Sequence, residues 1–226
     1  SYTRREIPSA VLGPAEGQIT LFGTEAIATD PTHARRVANG LTRLGPMVRE
    51  RVMTGFLSTE EEKDLILLRF ARRCFDEGPR AVQMLGDPDV HAAFVLERNV
   101  NNEVCRFIEF IRFEEKDGML GSVIHPKNNV LPLLRGHFCS RLPDEDFLIF
   151  DAAHGTALLR QSGHVQYLAM EHYEPARDAD ELNWQALWKR FFHALTIEER
   201  RNAKAQMNHA PKRFWGGMVE MREPYI

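Results

Sequence analysis

The strongest constraint on the fold is a change in the spacing of apolar residues at Phe107. Before this point, apolar side chains recur every three to four residues, which is the period of an α-helix. After it, short runs rich in aromatic and β-branched residues alternate with turn sequences, which is typical of strands. Helical spacing returns after Pro175. A chain with helices, then strands, then helices is expected to fold as an α+β protein.

Three helices are predicted in the first half of the chain. Asp30 is a suitable N-cap for the first helix, which should end at Gly45. Ser58 and Glu61 match the capping box of a second helix. A third helix should begin at Asp87 and its following proline.

The central residues predict a mostly antiparallel sheet with one inserted helix. Residues 107–115 are rich in β-formers and lead into Asp117-Gly118, a hairpin signal, with residues 119–124 as the partner strand. Asn128 or Asn129 is expected to cap the inserted helix. Three further strands are predicted at residues 147–150, 157–160 and 165–170. Their short links favour an antiparallel meander.

Two helices are predicted near the C-terminal end. Apolar residues with helical spacing mark the first, at Trp184, Trp188, Phe191 and Leu195. This apolar face is expected to be buried in the core. Thr196 and Glu199 form a second capping box, which predicts another helix ending near Asn208.

The same patterns predict the domain organisation. Residues 1–29 are rich in proline and glycine and are expected to form an arm, with one strand candidate at Ile19–Phe22. The remainder, residues 30–226, is predicted to be a single α+β domain. Its parts are a helical stretch over residues 30–106, a sheet over residues 107–174 and C-terminal helices over residues 175–226.

Composition restricts the classes of function. The chain has three cysteines without a CxxC pair, and its histidines lack the spacings of metal-binding motifs, so we expect no metal or other cofactor. No apolar run approaches the roughly 20 residues of a membrane-spanning helix, so we expect a cytoplasmic protein without membrane contact. The formal net charge is −3, and any attraction to phosphate must therefore come from a local cluster of cations.

Three stretches of the chain carry a resemblance to a family. They are Asn102–Arg106 running into Phe110–Phe113; His125–Leu134, continuing to Asp151 and Gly155; and Leu187–Phe192 with Glu199–Asn202 and Pro211–Trp215. In these motifs the chain resembles an uncharacterised bacterial family described as a probable DNA metabolism protein, a domain of unknown function.

The resemblance implies a role beside DNA. Members of that family look like partners of a radical-SAM protein proposed for DNA modification or repair. Some members are fused to a uracil-DNA glycosylase-like domain. The resemblance therefore implies single-stranded or damaged duplex DNA, or one of these proteins, as a partner.

A basic segment is the candidate nucleic-acid surface. Residues 189–213 hold only two acidic side chains, and their seven basic ones are Lys189, Arg190, Arg200, Arg201, Lys204, Lys212 and Arg213. Clustered cations neutralise phosphates, and Trp215, if exposed, could stack on an unpaired base. The alternative is a solvated helix face, with Phe214 and Trp215 packing the tail onto the core.

A second candidate is an anion site at the predicted junction between strand and helix. His125, Asn128 and Asn129 lie at this junction, where the N–H groups of a helix N-terminus could bind a phosphate or carboxylate. The alternative is that an asparagine here only caps the helix.

Acid–base chemistry has three candidate residues, Glu103, Asp151 and His154. The alternative is structural, because an aspartate in a turn and a glutamate–arginine pair on a helix are common. No nucleophile-elbow or Ser–His–Asp pattern is present in the sequence, and whether the protein is an enzyme stays open.

The sequence is consistent with three functions. The leading hypothesis is a DNA-associated accessory protein that binds nucleic acid, a repair enzyme, or both. The alternative is a DNA-processing enzyme, glycosylase-like or nuclease-like, that uses Asp151 or Glu103 beside the sheet. The third is a protein-interaction scaffold whose contact surface is the aromatic helix from Trp184 to Leu195.

Overall fold

A computed structural model describes residues 7–11, 25–174, 179–197 and 202–221. The predicted strand at Ile19–Phe22 lies outside these residues. The chain divides into two compact units, Ser1–Asn101 and Asn102–Ile226. None of the helices in the described ranges is long and apolar enough to cross a membrane.

The first unit is helical. Its elements are α1 (Pro31–Leu44), α2 (Pro46–Phe56), α3 (Lys63–Glu77), a 3₁₀ turn (Pro79–Gln83) and the start of α4 (Pro88–Phe110). The carboxylate of Asp30 accepts hydrogen bonds from the Thr32 and His33 N–H groups, at 2.7 and 3.1 Å, so the predicted cap of α1 is confirmed. Val48, Phe70 and Val90 are buried at the centre of this unit's core.

Two predictions for this unit were incomplete or wrong. Helix α2 was not predicted, because Gly45-Pro46 resembles a stop signal although Pro46 is in fact the first residue of the next helix. The capping box at Ser58 is wrong, since α3 begins at Lys63 without a side-chain cap. The Ser58 hydroxyl instead accepts a hydrogen bond from the Glu60 N–H group at 3.2 Å, inside the preceding turn.

The second unit contains the end of α4, the sheet and the C-terminal helices. Its further elements are β1 (Glu114–Lys116), β2 (Met119–Ile124), α5 (Leu131–Arg141), β3 (Asp146–Asp151), β4 (Thr156–Gln161), β5 (His164–Ala169), α6 (Ala179–Leu195), α7 (Ala203–His209) and two 3₁₀ turns (Lys212–Gly217 and Val219–Met221). The strands lie in the order β1-β2-β3-β4-β5. Among the described strands, only β2 and β3 are parallel, and α5 connects them. The predicted α+β class is confirmed.

The hairpin between β1 and β2 forms at the predicted turn. Asp117 and Gly118 both adopt positive φ angles, of 50° and 77°, as a two-residue hairpin turn requires. The predicted strand over residues 107–115 is wrong in its first part, because α4 continues to Phe110. Val104 and Phe107 are buried on one face of this helix, and their packing outweighs the β propensity of the local sequence.

The C-terminal helices differ from prediction in two respects. Helix α6 forms, but its apolar face is exposed rather than buried, with 68% exposure at Trp184 and 65% at Leu195. Helix α7 begins at Ala203, where the Asn202 side chain caps it by accepting a hydrogen bond from the Ala205 N–H group at 3.0 Å. The predicted start at Thr196 is wrong for this helix, since the Thr196 hydroxyl donates to the Phe192 carbonyl at the end of α6. Glu199, the other residue of the predicted capping box, lies outside the described residues.

Candidate nucleic-acid interface

A groove of about 370 Å³ lies in the second unit, between the end of α4, strand β2 and the 3₁₀ turn Lys212–Gly217. It exists because β1 pairs only with Met119–Gly121, the first half of β2. The second half, Ser122–Ile124, has β3 on one side and no described strand on the other. Aromatic and aliphatic side chains form much of the groove wall, among them Phe107, Phe110, Ile111 and Phe214.

Two arginines line this groove. The Arg112 side chain is 37% exposed, and one of its terminal nitrogens donates to the Glu109 and Ile111 carbonyl oxygens, each at 3.2 Å. The Arg213 side chain is 52% exposed, and its guanidinium lies 4.7 Å from the centre of the Phe214 ring. Arg112 also lies 3.9 Å from the buried Glu220 carboxylate, so each arginine is paired with a buried glutamate and still reaches solvent.

A buried carboxylate anchors one of these arginines. Glu103 accepts hydrogen bonds from the Lys127 N–H group at 2.9 Å, the Asn128 N–H group at 2.8 Å and the Asn128 side-chain amide at 2.7 Å. Its other contact is an ion pair of 3.1 Å with Arg213. The structure thus brings together Glu103, Asn128 and Arg213, which the sequence assigned to three separate candidate sites.

These contacts define the junction between β2 and α5. The N–H groups of Lys127 and Asn128, which lie at the predicted anion site, bind the protein's own Glu103 carboxylate. Neither asparagine caps α5, because Val130 occupies the N-cap position and the helix has no side-chain cap. His125 and Asn129 are exposed at the same junction, and His125 lines the groove.

The 3₁₀ turn carries a second cationic feature. The Lys212 ammonium lies 5.8 Å from the centre of the Trp215 ring, which is a cation–π geometry. The Trp215 indole N–H donates to the Ala210 carbonyl at 2.8 Å, which fixes the ring, and the residue stays partly exposed. Phe214 is buried against Phe107, with ring centres 5.0 Å apart, so it anchors the turn to the core.

Comparison with known proteins shows the family of this chain. The model of DUF4130, a domain of unknown function, matches residues 61–220. The chain belongs to the DUF4130 family. The DUF4130 match includes every residue that lines the groove. No curated protein matches the chain. No solved structure matches it either.

Those of the other basic candidates that the structure describes do not line the groove. Lys189 and Arg190 lie on α6, and Lys204 lies on α7, where it is exposed. Arg200 and Arg201 lie outside the residues that the structure describes. Of the predicted basic segment, the described side chain that reaches the groove wall is Arg213.

Asp151 and His154 form a close pair at the end of β3. The Asp151 carboxylate is fully buried, lies 2.7 Å from His154 Nδ1 and accepts from the Ala153 and His154 N–H groups at 3.0 and 3.1 Å. Burial raises the pKa of Asp151, while its contacts with His154 act in the opposite direction. Neither residue lines the groove, and the arrangement is that of a turn aspartate.

Sequence reasoning missed several residues of the groove. Arg112 and Glu114 were not singled out because both lie within residues 107–115, where a strand is predicted, and Ser122 was not singled out because it is one polar residue in a strand sequence. Ser122 has the one polar side chain of Met119–Ile124, and this is the signal that could have located it. Within the described ranges, no group of three or more His, Cys, Asp or Glu side chains is placed to hold a metal ion.

Proposed function

We propose that this chain is a DNA-associated accessory protein in DNA repair or modification, and that it binds nucleic acid at the groove. The observation that carries the proposal is the pair of half-exposed arginines, Arg112 and Arg213, on an aromatic-walled groove. The resemblance to a DNA metabolism family gives independent support for DNA as the nucleic acid.

Local charge makes this binding physically reasonable. The net charge of −3 disfavours general attraction to a polyanion, so contact must be made where cations are concentrated. Arg213 and His125 line the groove, and the neighbouring Lys212 is an exposed cation beside Trp215. Arginine binds phosphate with two parallel N–H donors, which orients the backbone as well as attracting it.

The contacts and burial of the candidate carboxylates favour a binding protein over an enzyme. Glu103 is already engaged with three N–H donors and with Arg213, so it holds the groove together rather than facing a substrate. Asp151 is fully buried in a turn away from the groove wall. The accessory role is therefore preferred to a glycosylase-like or nuclease-like one.

A salt titration tests the proposal. Fluorescence anisotropy with labelled single-stranded and duplex oligonucleotides would be measured between about 50 and 200 mM salt. The double variant Lys212→Ala/Arg213→Ala should bind more weakly. Its plot of log binding constant against log salt concentration should be less steep, with a slope smaller in magnitude by about two. Product analysis in the same tubes should find neither strand cleavage nor base release.

A matched control removes two exposed cations elsewhere. Arg35→Ala/Arg36→Ala on α1 changes the net charge equally and should leave the affinity and the slope unchanged. Equal losses in both double variants would mean that only the net charge matters, and the groove would then have no special role. An absence of binding at low salt would reject the proposal.

A second candidate function, binding of a repair-enzyme partner, is favoured by the exposed apolar face of α6. Exposed aromatic anchors are typical of protein interfaces. The partner would be one of the two that the family resemblance implies, a radical-SAM repair protein or a uracil-DNA glycosylase-like protein. With a purified partner, Trp184→Ser/Phe191→Ser should abolish a calorimetric binding signal that the Lys212→Ala/Arg213→Ala variant retains.

A further inference from the structure

We infer that the groove accepts the base of one unpaired nucleotide, with the flanking phosphates held by the arginines. This inference rests on the proposed function and deepens it, because it names the form of DNA that the site prefers. It is carried by four features of the groove: its size, its walls, the placement of its charges and one unpartnered hydroxyl.

The size of the groove fits a single nucleotide. Its volume of about 370 Å³ lies at the lower end of the range for small-molecule pockets. A base within a duplex is stacked on both faces and cannot enter such a space unless it leaves the helix. A base that is already unpaired enters without that cost.

The placement of charges fixes the orientation of the nucleotide. Glu114 lines the groove and is buried, so its carboxylate repels a phosphate that enters deeply. Arg112 and Arg213 are much more exposed and lie where a phosphate stays in contact with water. The neutral base is therefore directed inward, and the charged backbone remains at the opening.

The walls and one polar group suit a base. Phe107, Phe110 and Phe214 supply apolar contact for its rings. Ser122 lines the groove and is only 4% exposed, yet its hydroxyl has no hydrogen-bond partner among the residues that the structure describes. Among the described residues, His137 Nε2 is the fully enclosed side-chain atom without a hydrogen-bond partner, so the Ser122 hydroxyl reaches the groove and can bond there to water or to a ligand.

The Ser122 hydroxyl matches the edge of a base. A hydroxyl both donates and accepts, so it can pair with the mixed donor and acceptor groups of a Watson–Crick edge. It lies on the half of β2 that β1 leaves uncovered. An extended peptide could also pair with an open strand edge, but it would not gain from two arginines at the opening unless it were acidic.

The test depends on two probes of equal charge, with and without one unpaired base, and on a paired duplex as reference. A duplex with one extra nucleotide on one strand would be compared with the same duplex whose extra nucleotide lacks its base, and with the fully paired duplex. The protein should bind the probe with the extra base about tenfold more tightly than the other two. Equal affinity for the extra-base and abasic probes would overturn the inference and leave the proposed function intact, whereas no binding to any probe would overturn both.

Two variants assign the preference to the groove. Ser122→Ala removes the hydroxyl without adding bulk and should reduce the preference for the extra base over the abasic probe about fivefold. Ser140→Ala, on the exposed surface of α5, is the matched control and should keep the full preference. A full preference in Ser122→Ala would overturn the inference. A further experiment adds an acidic peptide to the binding reaction. If the peptide removed the preference for the extra base but left duplex binding unchanged, the groove would be a peptide site and the inference would be overturned.

Discussion

The buried carboxylate of Glu103 lies 3.1 Å from the exposed guanidinium of Arg213, and the two residues are separated by more than a hundred positions in the chain. Glu103 is at the same time the acceptor for the backbone of the β2–α5 junction. One side chain of α4 therefore determines the positions of a groove cation and of the loop opposite it. Several measurable consequences follow from this and from the other contacts described above.

Glu103→Gln should lower the free energy of unfolding by about 2 to 4 kcal/mol, because it removes the charge that several buried donors and Arg213 share. Urea denaturation followed by circular dichroism measures the change. Glu109→Gln on the same helix is the control, since Glu109 is an exposed partner of Arg106 and should cost less than about 1 kcal/mol. Similar costs for the two variants would contradict the anchoring role.

Asp151 should make the protein less stable as pH rises. Burial raises the pKa of its carboxyl above the ordinary value of 3.8, so the folded protein favours the protonated form more strongly than the unfolded chain does. The stabilising contribution of this group is therefore present below pH 3.8 and is lost as pH rises through the raised pKa. The measurement is urea denaturation of wild type and Asp151→Asn between about pH 3 and 7. The free energy of unfolding of wild type, relative to that of the variant, should decrease as pH rises.

Gly121→Ala should destabilise the sheet, because a Cβ atom at this position would lie 2.0 Å from the Tyr173 hydroxyl. The expected cost is about 1 to 3 kcal/mol in the free energy of unfolding. Tyr173→Phe removes the clashing oxygen, so the double variant should recover part of the loss. Thermal denaturation of the single and double variants measures this. If the stability change of the double variant equalled the sum of the two single changes, the proposed clash would be absent.

Cys74 should be the least reactive of the three thiols. It is fully buried, and burial raises the pKa of the thiol to about 11, so the thiolate required for reaction is scarce near neutral pH. Cys105 is exposed. Titration with a thiol reagent at pH 8, followed by peptide mapping, should modify Cys105 first and Cys74 only after denaturation.

Local signals explain which elements the sequence could predict. The cap at Asp30 and the turn at Asp117-Gly118 depend on residues within three positions of one another, so the sequence contains the whole reason for them. The end of α4 depends on the burial of Phe107 against Phe214, far along the chain, and a strand was predicted there instead. Helix α6 was predicted from the spacing of its rings, but spacing does not tell whether anything covers them.

The candidate site was predictable only in part. Arg213, His125 and Glu103 were each singled out from the sequence, because a basic cluster, a strand end and a helix end are local features. Their assembly was not predictable, since Glu103 meets Asn128 and Arg213 across wide intervals of sequence. The uncovered half of β2, which creates the groove, depends on β1 having only three residues.

The shortness of β1 also bears on self-association. Exposed backbone along a strand edge invites pairing with the same edge of another molecule, which is a common route to aggregation. Here two copies approaching edge to edge would bring Arg112 and Arg213 toward their own counterparts, and like charges would oppose the approach. The two cations that we propose for phosphate binding would thus also oppose fibre formation at high concentration.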